Sequence, residues 1–196
     1  MKMKRLVSAI AALAMSVSAF AGLTVSAATA DDIVPISSTA TYWFEDWTSM
    51  GTVKTTKGNL YGDDHFFAVT GNSVATNKGN VDGHLNCLRF KNVQDMLQFE
   101  VSKPAEITMY TYSDSKRGVV ASKTVPGGYY GSYADAVANA NGYDIIAVQP
   151  VSTTEWTFSV EEATTICLSN YGGDLYTAGI KVVIETTEPT ISVSPT

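Results

Sequence analysis

Leu85–Tyr112, LNCLRFKNVQDMLQFEVSKPAEITMYTY, decides the fold class of this chain. Successive side chains of a strand point to opposite faces, so an apolar–polar alternation marks a half-buried strand. Leu97, Phe99 and Val101 fall on one face, and Met96, Gln98 and Glu100 on the other. Ser102–Ala105 breaks the run, because Pro104 has no N–H to give a central ladder. In the next run Ile107, Met109 and Thr111 share a face, with Thr108, Tyr110 and Tyr112 opposite. Leu88 and Phe90 likewise point away from Cys87, Arg89 and Lys91. The reading is three half-buried antiparallel strands.

Outward from this stretch the pattern repeats. Tyr42 and Phe44 alternate with Trp43 in a first strand expected to end near Asp46 and Trp47. His65–Thr70, Gly118–Thr124, Ile145–Val151, Glu155–Val160, Ala163–Ser169 and Ala178–Thr186 read as further strands. Gly71–Gly83 reads as a surface loop. Val125–Asn141 reads as a long Gly- and Tyr-rich loop with a helical turn at Ala134–Ala138. No long amphipathic helix competes, so the expected class is all-β, an antiparallel β-sandwich or jelly roll. Of the tryptophans, Trp156 is in phase with Phe158 and Val160 and is the most securely core. Trp43 is also read as core, and Trp47, beside a turn, is the least secure.

The 196 residues suit one domain with a sizeable core. Its N-terminus reads as a secretory signal over residues 1–30: Lys2, Lys4 and Arg5, an apolar run from Leu6 to Val25, and small-residue sites ending at Ala21, Ala27 or Ala30. The sandwich module is then 31–186. The Thr/Ser/Pro-rich 187–196 reads as a linker or tail, with the chain as a first module of a longer protein. Losing three positive residues with the leader takes the formal charge from −6 to −9. Such an acidic exported module is a poor partner for nucleic acid or anionic membrane. Cys87 and Cys167 sit in predicted strands of an exported chain, and the reading leaves open a cross-strand bridge or two reduced thiols.

The order of pieces resembles the carbohydrate-binding-module-like β-sandwich domains attached to secreted polysaccharide-degrading enzymes of gut and rumen bacteria, especially beside pectate lyases. The pieces are Trp43-Phe44-Glu45-Asp46, the basic Leu88-Arg89-Phe90-Lys91, Met96–Val101, Glu106–Tyr110, and Gly172-Gly173 through Ile180-Lys181-Val182. Asn92–Asp95 and the expanded Val125–Asn141 loop depart from that pattern. The resemblance implies a non-catalytic module that binds a plant cell-wall type polysaccharide for an attached or partner enzyme or a cell-surface scaffold, outside the cell.

Sugar binding needs flat apolar faces for the C–H side of a pyranose and polar groups around them. The candidates are Tyr110 and Tyr112 with Arg89 and Lys91 on the outer face of one sheet. Tyr129 and Tyr130 in the Gly-rich loop, and Trp47, complete the set. The bland alternative covers Tyr110 and Tyr112 with a loop as a second minor core. No catalytic residue and no metal ligand set stands out, and no cofactor is expected beyond a structural calcium held by Glu45, Asp46, Asp174 or backbone carbonyls. Asp63-Asp64-His65 reads as a solvated turn. Two other functions stay open: a structural or adhesion module of a cell-surface protein, and a small jelly-roll polysaccharide lyase. The lyase reading lacks a Gln-x-His motif.

Overall fold

In a computed structural model, the structure describes residues 28–47, 55–70, 73–75, 81–90, 96–112, 118–125, 132–138, 144–149 and 155–186. Residues 73–75 and 112 are described by their backbone alone. The proposed leader and tail lie outside these residues, apart from 28–30. The elements are β1 (Ala40–Trp43), β2 (Leu60–Tyr61), β3 (Phe66–Ala68), β4 (Ser73–Ala75), β5 (Cys87–Phe90), β6 (Leu97–Val101) and β7 (Ala105–Tyr112). They continue with β8 (Gly118–Ser122), α1 (Tyr133–Ala138), β9 (Ile145–Gln149), β10 (Glu155–Val160), β11 (Thr164–Tyr171) and β12 (Leu175–Ile184).

Two six-stranded sheets result. One runs β10-β7-β12-β5-β4, with β1 also paired to β12; the other runs β2-β3-β6-β11-β8-β9. Every strand pair is antiparallel, which establishes the all-β sandwich. The inner faces meet in one core that holds Phe44, Phe66, Leu88, Phe90, Leu97, Phe99, Ile107, Met109, Trp156, Ile166, Leu168 and Ile180. Burying each such side chain is worth about 1.5–3 kcal/mol. The alternation in β6, β7 and β10 therefore assigns inner and outer residues correctly.

Three expectations are corrected. First, the three central strands are not neighbours: β5 and β7 share a sheet but flank β12, and β6 belongs to the other sheet. Alternation reports which face a residue takes, not which strand lies beside it. Second, the first strand stops at Trp43, and Phe44–Trp47 coils into a 3-10 helix that buries Phe44. Third, residues 71–83 are not all loop, since Ser73–Ala75 pairs with β5 and Val81 bridges His84. The helical turn near Ala134 is present as α1. It covers the outer face of the second sheet, where Val120, Ala136 and Tyr171 form a small second core.

The cysteines settle the disulfide question. Cys87 points outward from the first sheet, paired in register with Ala75, and Cys167 points outward from the second, paired with Ser122. The two stacked sheets, spaced by ~10 Å, lie between their side chains, and both cysteines are reduced and buried. Burial pushes both thiols up to about 12, with the Glu45 charge adding to the effect at Cys87. The folded thiols are therefore neutral while those of an unfolded chain ionise near 9, so the associated stability is complete below pH ~9 and is lost as pH rises toward 12. We expect neither thiol to react with an aromatic disulfide reagent at pH 8 until denaturant is added, when both do. Rapid release of one equivalent from the native protein would contradict this packing.

Candidate functional site

The open face of the first sheet carries a row of four residues in register across four strands: Glu155 on β10, Tyr110 on β7, Gly179 on β12 and Trp43 on β1. A register shift between Thr177 and Gly179 brings the glycine into this row. Its missing side chain matters. A Cβ at Gly179 would lie 2.6 Å from the Tyr42 carbonyl oxygen and 2.8 Å from Trp43 Cε3. The Trp43 indole occupies that space and reaches Tyr110, with ring centroids 5.2 Å apart and planes at 20°.

His84 completes the stack, 4.0 Å from Trp43 with planes at 11°. The Asp82-Gly83 turn delivers it. Both residues have positive φ, 51° and 88°, which is the two-residue turn that matches the twist of paired strands. The 3-10 helix after β1 then holds His84 in place: Glu45 Oε1 accepts from His84 Nδ1, and Glu45 Oε2 accepts from the Asn86 N–H at 3.4 Å. Trp43, His84 and Tyr110 are each partly exposed.

Beside this row Arg89, Tyr176 and Tyr112 are register partners on the same face. Arg89 donates to Asp174 Oδ2 from Nε at 2.7 Å and from Nη2, leaving the side chain 33% exposed. On the other side Lys181, Thr108 and Thr157 line up, with the two threonine hydroxyls 3.0 Å apart. The Tyr110 hydroxyl is pushed up by burial and then by the charges of Glu155 and Asp82. The face thus offers a ridge of aromatic rings, hydroxyls, one guanidinium and a surplus of carboxylates.

Of the residues expected at a binding surface, Tyr110 and Arg89 fall on this face, two strands apart, and register places Tyr112 there too. Lys91, Tyr129 and Tyr130 lie outside the described residues. Trp47 is outside the stack. Its ring stacks on Tyr61 at 5.5 Å and 16°, tilts against Phe44 and Phe66, and lines a cleft of 390 Å³ with Tyr42, Trp43, Asp46 and Asp63. The loop that was to cover Tyr110 is not found over it among the described residues; the covered outer face belongs to the other sheet.

Trp43, His84 and Tyr176 were missed. Trp43 is on the outer face and not in the core, whereas Trp156 is 5% exposed and in the core as expected. The signal for Trp43 was a lone glycine in the expected Ala178–Thr186 strand, and for His84 the Asp-Gly turn before it. The carboxylates named for calcium have three separate settings: Glu45 with His84 and Asn86, Asp174 with Arg89, and Asp46 in the Trp47 cleft. Among the described residues no group of three or more acidic, histidine or cysteine side chains is placed to hold a metal ion. Asp63 and Asp64 are exposed, as a solvated turn requires.

No protein-family model matches the chain, and no curated protein sequence does. Among solved structures it is similar to a protein of the Ruminococcus flavefaciens cellulosome, in work on an expansion in glycan recognition. That match has 9% identity and a TM-score of 0.47, over 79% of this chain and 100% of that one. It is similar to the CBM22-1–GH10 modules of Clostridium thermocellum xylanase 10B complexed with xylohexaose, at 11% identity and a TM-score of 0.41. There the match covers 81% of this chain and only 30% of the xylanase chain. It is also similar to the K1 adhesin domain of Lys-gingipain from Porphyromonas gingivalis, at 7% identity and a TM-score of 0.43, over 76% and 99%. At TM-scores below 0.5 these likenesses carry no function across, and the sandwich rests on its own strand order.

Proposed function

We propose that this chain is a non-catalytic glycan-binding module whose ligand lies on the outer face of the first sheet. The observation that carries the reading is the partly exposed Trp43–His84–Tyr110 stack, held across Gly179 on an open sheet face. Rings fixed before the ligand arrives lose little entropy on binding, and hydroxyls with Arg89 supply polar contacts around them. A catalytic role finds little to work with among the described residues. His84 is committed to Glu45, His65 is bonded to the Val34 carbonyl at 2.6 Å, and the Cys87 thiol is held neutral.

The leader-like N-terminus supports export, and no helix among the described residues is long and apolar enough to cross a membrane. In this reading the module works outside the cell on a plant cell-wall type polysaccharide, beside a degrading enzyme or on a surface scaffold. The resemblance in its motif order points to a pectate lyase as one such neighbour.

The test is affinity electrophoresis of the full chain through gels containing cellulose derivatives, xylan, mannan or homogalacturonan. Retardation on one polymer, lost in Tyr110→Ala while circular dichroism is unchanged, is expected. Free migration through all four would remove the glycan reading. One observation favours a second reading, an adhesion module for protein: the outer edge of the six-residue β10 has no strand partner among the described residues, and such an edge accepts an added strand.

A further inference from the structure

The charges around the aromatic stack define what the face admits. Glu155 stands directly opposite Tyr110 in the β10–β7 ladder, where facing side chains are roughly 5 Å apart at Cβ. Asp82 sits in the turn that delivers His84, and Glu45 is bound to that histidine. Both Glu155 and Asp82 act on the Tyr110 hydroxyl through their charges. Glu106, on the same face of β7, adds another carboxylate. Against these stand two cations among the described residues of the face, Arg89 and Lys181. Arg89 is already neutralised by Asp174, and Lys181 lies opposite Thr108, one row beyond Tyr110.

Resting on the glycan reading above, we infer that this face takes uncharged glycan chains and rejects polyuronates, with Glu155 and Asp82 as the residues that set the discrimination. A polyuronate presents a carboxylate on every sugar, so a unit stacked on Tyr110 or Trp43 brings negative charge against Glu155 and Asp82. Both carboxylates are exposed, so the repulsion acts through water over a short range and weakens with salt. A neutral xylan, glucan or mannan meets no such penalty, and the carboxylates accept hydrogen bonds from its hydroxyls. The inference runs against the pectate-lyase association that the motif order suggests, because the polymer of that enzyme is a polyuronate.

The experiment measures affinity of the full chain for soluble xylan, mixed-linkage glucan, mannan and homogalacturonan at low and at about 0.3 M salt, alongside the Glu155→Gln/Asp82→Asn variant. Binding to at least one neutral polymer is expected, with homogalacturonan at least about tenfold weaker. The gap should narrow at high salt, where screening is short-ranged. In the variant, the ratio of homogalacturonan affinity to neutral-polymer affinity should rise about fivefold or more. Homogalacturonan bound as tightly as every neutral polymer would overturn the inference and leave the glycan reading standing. A gap unchanged in the variant would overturn the assignment to Glu155 and Asp82. No retention on any polymer by the folded protein would overturn both readings together.

Discussion

Gly179→Val is expected to weaken glycan retention about thirtyfold and to lower stability by about 1–3 kcal/mol. The argument is steric. Gly179 lies in the middle strand between Tyr110 and Trp43, and the first carbon of any side chain there falls 2.6 Å from the Tyr42 carbonyl oxygen and 2.8 Å from Trp43 Cε3. The carbonyl belongs to the β1–β12 pairing and has little freedom to move, so the indole gives way. Its contact with Tyr110 is then lost, along with the ~0.5–1.5 kcal/mol that such a ring pair contributes beyond burial. His84 loses the surface it lies on, although Glu45 still holds its Nδ1. Trp43→Ala is the matched control: it removes the same ring without forcing β1 from β12. Retention should fall about thirtyfold in both variants, as for a central aromatic anchor, while only Gly179→Val carries the steric loss of stability. Wild-type retention by a folded Gly179→Val protein would place the ligand off this stack.

How much of this was legible in the sequence divides along a physical line. Alternation records the face a side chain takes, so Ile107, Met109, Leu88 and Phe90 were assigned inward and Tyr110 and Arg89 outward, as found. Alternation carries no information about which strands pair, since a ladder is built from backbone groups that every residue has. The interleaving of β12 between β5 and β7 was therefore invisible, and with it the row that joins Tyr110 to Trp43. Trp43 itself had the right phase, opposite Tyr42, but large aromatics are usually buried and that expectation prevailed. The glycine that makes an outward indole fit lies 136 positions away in the chain. His84 reaches the stack because of a turn, and a single histidine after Asp-Gly looks the same in sequence whether or not its ring meets a partner. Arg89 was expected as a hydrogen-bond donor to the ligand. The structure commits it to Asp174, a pairing across two strand ends that no local pattern announces.

The same steric logic on the opposite sheet separates stability from binding. Gly118 opens β8 opposite Tyr171, whose ring lies over it and whose hydroxyl donates to the Gln149 carbonyl at 2.5 Å. A Cβ at Gly118 would stand 2.2 Å from that carbonyl oxygen and 2.3 Å from both Tyr171 Cζ and its hydroxyl oxygen. Gln149 is held by its pairing with Val119, and Tyr171 is 1% exposed in the small core it forms with Val120 and Ala136. Relief therefore requires β9 to part from β8 or the tyrosine to leave its hydrogen bond. We expect Gly118→Ala to cost about 3 kcal/mol or more, near the upper end for overpacking. For a domain of this size that is a fall in melting temperature of roughly 6–12 °C. Below its transition the variant should retain wild-type glycan affinity, because the second sheet contributes nothing to the Trp43 face. Thermal unfolding and affinity electrophoresis on one preparation decide the matter. A melting temperature within about 2 °C of wild type, less than 1 kcal/mol on the same scale, would mean that Tyr171 is not closed over Gly118 as described. A stable but non-binding variant would mean that the two faces of the sandwich are coupled through its core.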